Sequence, residues 1–456
     1  MYTLDDTIAA ISTPIGQGGI GIVRLSGPDA VEIANRLFVP AKRDSWTNIE
    51  PFRLYYGHIV DPSDKHIVDE VLLSYMRAPR SYTRQDVIEI NAHGGVVPLQ
   101  EILRLCLESG ARMAREGEFT LRAFVNGRID LAQAEAVLDV IQAKTDAALQ
   151  VAIGQLSGHL SREVGEMRQQ LLSALAYLEA SIDFPEEDIP VQDVSHELSQ
   201  VGEQLKALLA SADRGIIYRQ GVRAAIVGRP NVGKSSLLNA LLRVERAIVT
   251  PIPGTTRDTL EETINLQGIP VVLVDTAGIE TTEDPIERLG IERSRRSIQG
   301  ADLVLMVVDI SSPLTAEDTA VAALIEDKPA IMVLNKIDLG LAADFDGLLP
   351  QAPRVRVSAL TGHGIPALEE TLLDVLLSGQ VIAGEPPISG NSRHRALLQI
   401  ASDYIHDALT AIRSELPAEC VAIDIREAID ALGEITGETA NQDLLETIFG
   451  RFCIGK

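Results

Sequence analysis

The spacing of hydrophobic positions changes character along this chain. Up to about residue 125, short apolar runs alternate with polar turns. Thr7-Ile8-Ala9-Ala10-Ile11, Gly21-Ile22-Val23-Arg24-Leu25, Glu70-Val71-Leu72-Leu73-Ser74-Tyr75-Met76 and Asp86-Val87-Ile88-Glu89-Ile90 have the length and composition of strands. After His93-Gly94-Gly95, Leu99, Ile102, Leu103 and Leu107 predict a helix. The loop at Gly16 reads as a structural turn, because it lacks a Lys-Ser ending. From about 126, Leu131, Ala134, Val137, Leu138 and Ile141 fall at helical spacing. Val164, Met167, Leu171, Leu175 and Leu178 mark another helix, and a third runs from about Ser195 to Ala212. Ile182-Asp183-Phe184-Pro185-Glu186-Glu187-Asp188 connects the last two.

Strand and helix patterns alternate again from about 216 to 380. Val271 to Val274, Leu303 to Val308, Ala330 to Leu334 and Arg354 to Val357 predict strands of a doubly wound sheet. Gly384-Glu385-Pro386-Pro387-Ile388-Ser389-Gly390 reads as a linker. Beyond it, Leu397, Leu398, Ile400 and Ile405, then Ile425, Ala428, Ile429 and Leu432, predict helices. The expected fold is multidomain, α/β and all-α: an α+β part at 1–125, a helical part at 126–215, an α/β part at 216–383 and a second helical part at 384–456. Helices on both sides of the α/β part imply that it is inserted into a helical domain.

Composition narrows the classes. A chain of 456 residues with 46% hydrophobic content and a mean hydropathy of +0.12 can build sizeable cores. Aromatic residues are only 4%, which argues against a surface built to stack single-stranded bases. The net charge of −25 repels nucleic acid, so RNA binding requires a local basic patch or a partner. Cys106, Cys420 and Cys453 lie far apart and form neither a disulfide framework nor a metal-binding pair. No signal peptide or membrane-length apolar run is visible, and the expectation is a cytoplasmic protein.

Candidate chemistry centres on Gly228-Arg229-Pro230-Asn231-Val232-Gly233-Lys234-Ser235. It lies between the apolar run Ala224 to Val227 and a helical pattern beginning at Ser236. Strand, glycine-rich loop and helix are the context of a P-loop, whose backbone N–H groups and helix N-terminus hold phosphates. Lys234 is expected to reach the β- and γ-phosphates, and Ser235 to hold Mg²⁺. Thr255-Thr256 follows, with Thr256 the expected second Mg²⁺ ligand. In Asp275-Thr276-Ala277-Gly278, the aspartate can reach Mg²⁺ through water and the Gly278 N–H a γ-phosphate.

Asn335-Lys336-Ile337-Asp338 supplies a carboxylate for the N1–H and amine of guanine, a donor pair that adenine lacks. Ser358-Ala359-Leu360 can offer N–H groups to guanine O6. Five motifs in this order predict a GTPase. Ile279 follows Gly278, and its side chain cannot polarise water. Glu287, Arg288 and Glu292 lie on a helical segment whose charges, by themselves, read as a solvated face.

The chain resembles the MnmE (TrmE) family of tRNA modification GTPases. The residues that carry the resemblance include the Asn231 P-loop with Ser236, Gly254-Thr255-Thr256-Arg257-Asp258 and Gly117-Glu118-Phe119-Thr120. Ile182 to Glu187 and the C-terminal Phe452-Cys453-Ile454-Gly455-Lys456 complete it. The resemblance implies a homodimer through an N-terminal domain that binds a 5-formyltetrahydrofolate-type one-carbon folate. It also implies an FAD-containing MnmG-type partner, a heterotetramer with it, and action on carbon 5 of the wobble uridine of certain tRNAs. The product would carry an aminomethyl or carboxymethylaminomethyl group there.

Residue by residue, the resemblance implies a K⁺ site at Asn231, Thr250, Ile252 and Thr255. It implies a water-orienting role for Glu287 and folate contacts at Arg24, Glu89, Arg128 and Lys456. G domains of the family meet face to face with K⁺ and GTP bound. The chain departs from the family's pattern at Glu280, where many members have arginine, and at Arg128, where others have lysine. Cys453 is expected to be exposed and to assist the chemistry on uridine. Two other readings stand beside this one: a ribosome-assembly GTPase of the Era type, and a folate-dependent one-carbon transferase regulated by GTP. Neither flank of the α/β part supplies the basic RNA-binding domain that the Era type requires.

Overall fold

The protein is described from a computed structural model over residues 5–42, 49–184, 193–244, 261–275, 295–325, 328–341, 345, 347–377 and 387–456. The chain divides into two compact units. One comprises Met1–Leu138, Ser161–Leu175 and Arg426–Lys456; the other comprises Asp139–Leu160 and Ala176–Ile425.

The first unit holds a seven-stranded sheet. Its strands are β1 (Ile8–Ile11), β2 (Gly18–Ser26), β3 (Phe38–Pro40), β4 (Leu54–Val60), β5 (Ile67–Met76), β6 (Val87–Gly94) and β7 (Arg112–Met113). Their order is β3-β4-β5-β6-β2-β1-β7, antiparallel except for the parallel pair β1 and β7. Burial alternates along β5, with Val71, Leu73 and Tyr75 inside and Leu72 exposed, as in a sheet covered on one face. Helices Ala30–Leu37 and Val96–Glu108 cover that face, and their Ile33, Leu37, Leu99 and Ile102 complete its core. On the other face, helix Glu118–Val125 sets Phe119 against Ile8, Ala10 and Ala114.

The unit's C-terminal residues form a separate apolar cluster with the helices that follow residue 118. Phe449 and Phe452 pack with Leu121, Leu131 and Ala134. Arg168, on the helix His159–Asp183, pairs with Glu438 and donates to the Ile429 carbonyl at 3.3 Å.

The second unit holds a six-stranded sheet of β8 (Val222–Val227), β9 (Glu261–Leu266), β10 (Ile269–Asp275), β11 (Leu303–Asp309), β12 (Ala330–Asn335) and β13 (Arg354–Arg356). The order is β13-β12-β11-β8-β10-β9, parallel except for the edge strand β9. Every residue of β11 is buried, because a parallel sheet with helices on both faces leaves no polar side. The chain steps from β8 to β10 on one side and to β11 on the other, so the order reverses at β8. Crevices at the carboxyl ends of such strands are where ligands bind.

The helix Val194–Gln220 leads into β8 and packs along Ser392–Arg413 from the other end of the α/β segment. A Cβ on Gly215 would strike the Ser389 carbonyl, so glycine permits this close approach. Ser211 accepts from the Ile388 N–H at 2.9 Å, and Arg395 pairs with Asp213. The α/β segment is thus inserted between helices that pack together, as the sequence implied. The expected division at 215/216 falls within the helix Val194–Gln220, whose period continues to Gln220. Strands β3, β4, β7 and β9 and helices Ala30–Leu37 and Asp146–Leu156 were not anticipated; they are short or carry weak periodicity.

Candidate functional site

In the second unit, the motif residues gather at one edge of the sheet because each follows the carboxyl end of a parallel strand. Gly228 has φ +150°, and a Cβ there would strike the Val307 carbonyl, so no side chain fits. Asn231 (φ +66°) and Gly233 (φ +100°) also take positive φ, which turns the loop back on itself. A Cβ at Gly233 would strike the Asn335 side-chain amide. The helix Lys234–Val244 begins at once, with Ser235 and Ser236 exposed in its first turn. The ammonium of Lys234 donates to the carbonyls of Gly228 and Arg229, both at 2.9 Å.

Asn335 is buried and acts as an internal strut. Its Nδ2 donates to the Val232 carbonyl at 2.8 Å, and its Oδ1 accepts from the Ala359 N–H at 3.0 Å. Val232 is also buried, so it can meet a ligand only through its backbone. Lys336 donates to the Asn231 carbonyl at 2.8 Å and pairs with Asp309 at 2.7 Å. Asp309 escaped the sequence reading because one aspartate at a strand end carries no signature. Burial would raise its carboxyl, but Lys336 and Ser311 hold it below the ordinary aspartate range.

Asp338 lies on the short helical turn Ile337–Leu339 and is exposed, so its carboxylate is open to a ligand. Ser358 is buried, Leu360 is exposed, and the Ser358 hydroxyl accepts from the Thr361 N–H at 3.2 Å. The structure brings Asn231, Val232, Gly233, Lys234, Ser235, Ser236, Asn335, Lys336, Asp338, Ser358, Ala359 and Leu360 to this edge. Asp275 ends β10, but its side chain lies outside the description. Thr250, Ile252, Thr255, Thr256, Thr276, Ala277, Gly278, Ile279, Glu280 and Glu287 lie outside the described residues.

A second constellation lies within the first unit. β2 and β6 place Arg24 opposite Glu89, and the two form an ion pair at 2.8 Å. Arg24 is therefore a mostly covered, partnered group and not a solvated arginine. The C-terminal segment joins them: Arg24 Nη1 and the Ser12 hydroxyl donate to the Gly455 carbonyl at 3.2 and 3.0 Å. Gly455 has φ +95°, and a Cβ there would lie 2.9 Å from Ser12 Cα, so the close docking requires glycine. Ile454 bridges to Glu116. Burial and then the Arg24 guanidinium lower the Lys456 ammonium from its ordinary range, against the opposing pull of Glu89 and Cys453. Cys453 is exposed.

Tyr82 was not anticipated, yet it joins the expected residues. The Arg128 guanidinium carbon lies 4.7 Å from the Tyr82 ring centroid and that of Arg24 lies 6.0 Å away. The Tyr82 hydroxyl is 2.9 Å from that of Thr120, and burial pushes its ionisation upward. Arg24 also lies 5.6 Å from the Phe119 ring. Gly117-Glu118-Phe119-Thr120 thus has a physical basis. Gly117 (φ +62°) leaves room for the Phe449 carbonyl, Phe119 underlies Arg24, and Thr120 meets Tyr82.

Glu118, in the same motif, accepts from Arg112 at 2.6 Å and from the buried Arg122 at 3.0 Å. Burial alone would raise its carboxyl, but Arg112, the Arg115 N–H and Arg122 hold it below the usual glutamate range.

Comparison with known proteins covers nearly the whole chain. The model described as "GTP-binding protein TrmE N-terminus" matches residues 7–128, and "MnmE helical domain" matches residues 131–453. A tRNA modification GTPase MnmE of Roseiflexus sp. (strain RS-1) is 51% identical over 463 residues, covering 99% of each chain. The chain belongs to the MnmE family of tRNA modification GTPases. Another MnmE, from Chloroflexus aurantiacus, is 52% identical over 456 residues, covering 99% of this chain and 100% of that one. Among solved structures, a point variant of Aquifex aeolicus Era bound to GDP·AlF4⁻ is 30% identical; the match covers 40% of this chain and 66% of that one with a TM-score of 0.28. Among the described residues, no helix is long and apolar enough to cross a membrane.

Proposed function

We propose that this MnmE-family GTP hydrolase uses K⁺-stimulated hydrolysis of GTP to drive modification of the wobble uridine of certain tRNAs in the cytoplasm. It would act with an FAD-containing MnmG-type partner, as a heterotetramer, to add an aminomethyl or carboxymethylaminomethyl group at carbon 5. The observation that carries this reading is the docking of Cys453-Ile454-Gly455-Lys456 beside the Arg24–Glu89 pair. That arrangement joins the family's C-terminal signature to a site distinct from the nucleotide edge.

The donor set of the first unit fits a one-carbon folate. Arg24 and Arg128 can pair with its carboxylates, Glu89 can accept from an N–H and amine edge, and Tyr82 offers an aromatic face. The folate would supply the one-carbon unit. Lys456 closes the site with its positive charge, and Cys453 is exposed for proton or nucleophile chemistry. Leu54, Tyr56 and Leu72 are exposed on the face of the sheet that carries Arg24, which supports the homodimer.

At the nucleotide edge, N–H groups of residues 232 to 236 suit phosphates, and Lys234 must leave its two loop carbonyls to meet them. The Ser235 hydroxyl fits Mg²⁺, with Thr256 as its second ligand, and the metal would neutralise phosphate charge. Asn231 is exposed at the loop tip and fits K⁺, with Thr250, Ile252 and Thr255 contributing carbonyls. Glu287 orients water in place of the side chain that Ile279 cannot provide.

Hydrolysis measured in K⁺ and in Na⁺ tests the nucleotide half. The rate should be much higher in K⁺, and Asn231→Ala should remove the difference with GTP binding kept. Equal rates would sink that half. Nucleoside mass spectrometry of bulk tRNA tests the other half: Cys453→Ser should lower wobble-uridine modification and leave phosphate release intact. Full modification would reduce Cys453 to packing.

A further inference from the structure

The connection between β5 and β6, residues 77–86, brings Tyr82 to the Arg24–Glu89 site and also carries Arg77, Arg80 and Arg84. All three arginines are exposed, as is Arg128 beside them. Seven other arginines of this unit behave differently. Arg24, Arg36, Arg53, Arg104, Arg112, Arg122 and Arg168 each pair with a carboxylate. Among the described residues, Arg77, Arg80, Arg84 and Arg128 have no carboxylate within ion-pair distance. The one acid of the connection, Asp86, is committed elsewhere: its Oδ1 accepts from the Tyr75 hydroxyl at 3.1 Å and the Ala78 N–H at 2.9 Å.

Arg84 is also held in an unusual backbone. Its φ is +58°, a left-handed conformation that costs an arginine free energy and persists only where its surroundings impose it. Its Nη1 donates to the Asn126 carbonyl at 3.0 Å, and Asn126 in turn donates to the Thr83 carbonyl at 2.6 Å. These bonds tie the connection to the turn that presents Arg128. Arg128 lies over one face of Tyr82, and the bonds of Arg84 and Asn126 hold the connection against the turn that carries Arg128.

A chain of net charge −25 must concentrate positive charge locally to meet a polyanion. We propose that Arg77, Arg80 and Arg84, with Arg128, form the rim that holds RNA backbone phosphates flanking the reacting uridine, so that the base reaches the Tyr82 side of the site. The proposal rests on the reading of this site as the place of uridine chemistry. Arginine suits the role because its planar fork meets phosphate oxygens in pairs. Phosphate contacts of this kind fix position without reading sequence.

The test uses the full-length protein with its MnmG-type partner and a fluorescent tRNA transcript that has uridine at the wobble position. Binding is followed by anisotropy across a KCl series. Arg77→Gln/Arg80→Gln/Arg84→Gln should weaken binding about tenfold near 0.1 M salt and flatten the slope of log affinity against log salt by ~2 to 3. Arg77→Gln/Arg80→Gln leaves the strained Arg84 and its bond in place, guards against misfolding, and should give most of the effect. GTP hydrolysis and calorimetric binding of monoglutamyl 5-formyltetrahydrofolate should stay at wild-type values in both variants.

An unchanged salt slope in both variants overturns the proposal, as does failure of the wild-type complex to bind the transcript. Unchanged tRNA binding with weakened binding of polyglutamylated folate would overturn it too, and would give the rim to the folate tail. Failure of the underlying folate reading is seen separately, as absent monoglutamate binding by the wild type.

Discussion

The two sites are built by opposite means. At the nucleotide edge, three described segments each follow the end of a parallel strand, so each of their candidate residues sits in a local motif. Parallel pairing alone brings residues 228–236, 335–338 and 358–360 together. The site in the first unit has no such regularity. Ser12, Arg24, Tyr82, Glu89, Phe119, Arg128 and Gly455 come from separate elements and meet across an antiparallel sheet face. A topology that repeats one geometry makes a site readable from sequence; a site assembled once, from one set of side-chain contacts, does not announce itself. The helical segments differ again, since their close approaches are permitted by small residues such as Gly215.

This contrast can be tested by variants that should disable one site and spare the other. The largest effect is expected from Asp338→Asn, which replaces the acceptor for guanine's donor pair. Preference should move from GTP toward the xanthine nucleotide by roughly 10³-fold or more, read as the ratio of kcat/KM values. Folate binding should be unchanged. If folate binding fell in parallel, the two sites would not be separable.

Glu118→Gln should come next. It leaves the buried Arg122 short of a charged partner, and breaking one partner of a buried pair costs on the order of 3 kcal/mol. The pH dependence has a definite sign. The carboxyls of Glu118 and Asp6 are lowered in the fold, so their contribution is present above the ordinary carboxylate range and is lost as pH falls through the lowered values. Urea unfolding followed at neutral and acid pH should show a shallower acid loss in the variant. An identical acid profile would remove the Glu118 network from the stability of this unit.

Gly455→Ala is a smaller and sharper test. A Cβ on the +95° backbone would collide with Ile11 and Ser12, so the C-terminal segment must lift from Arg24. Affinity for 5-formyltetrahydrofolate should drop about 10-fold, on the scale of a lost charge-assisted hydrogen bond, with K⁺-stimulated hydrolysis retained. Wild-type affinity in calorimetry would mean that the segment is not part of the site. The smallest effect is expected from Tyr82→Phe, which keeps the ring under Arg128 and loses only the bond to Thr120. A few-fold loss or less of folate affinity is expected, within the net value of one hydrogen bond; Tyr82→Ala should lose more.

The sequence by itself determined the alternation of strand and helix, the P-loop and its companion motifs, and the family through its signatures. Those features depend on neighbours within a few residues, and backbone periodicity makes them visible. It also reached Arg24, Glu89, Arg128 and Lys456, but only through resemblance, since nothing local in their segments distinguishes them from surface charges. The tertiary structure alone decided that Arg24 faces Glu89, through the register of β2 with β6, and that Gly455 closes on both Arg24 and Ser12. It alone made Asn335 an internal strut and paired Lys336 with Asp309. It also set Arg128 over the Tyr82 ring and tied Arg84 to the turn that carries Arg128. The reason is physical: a charge–charge or ring contact depends on which side chains a fold brings within a few ångströms, and residues hundreds of positions apart carry no record of that in their local pattern.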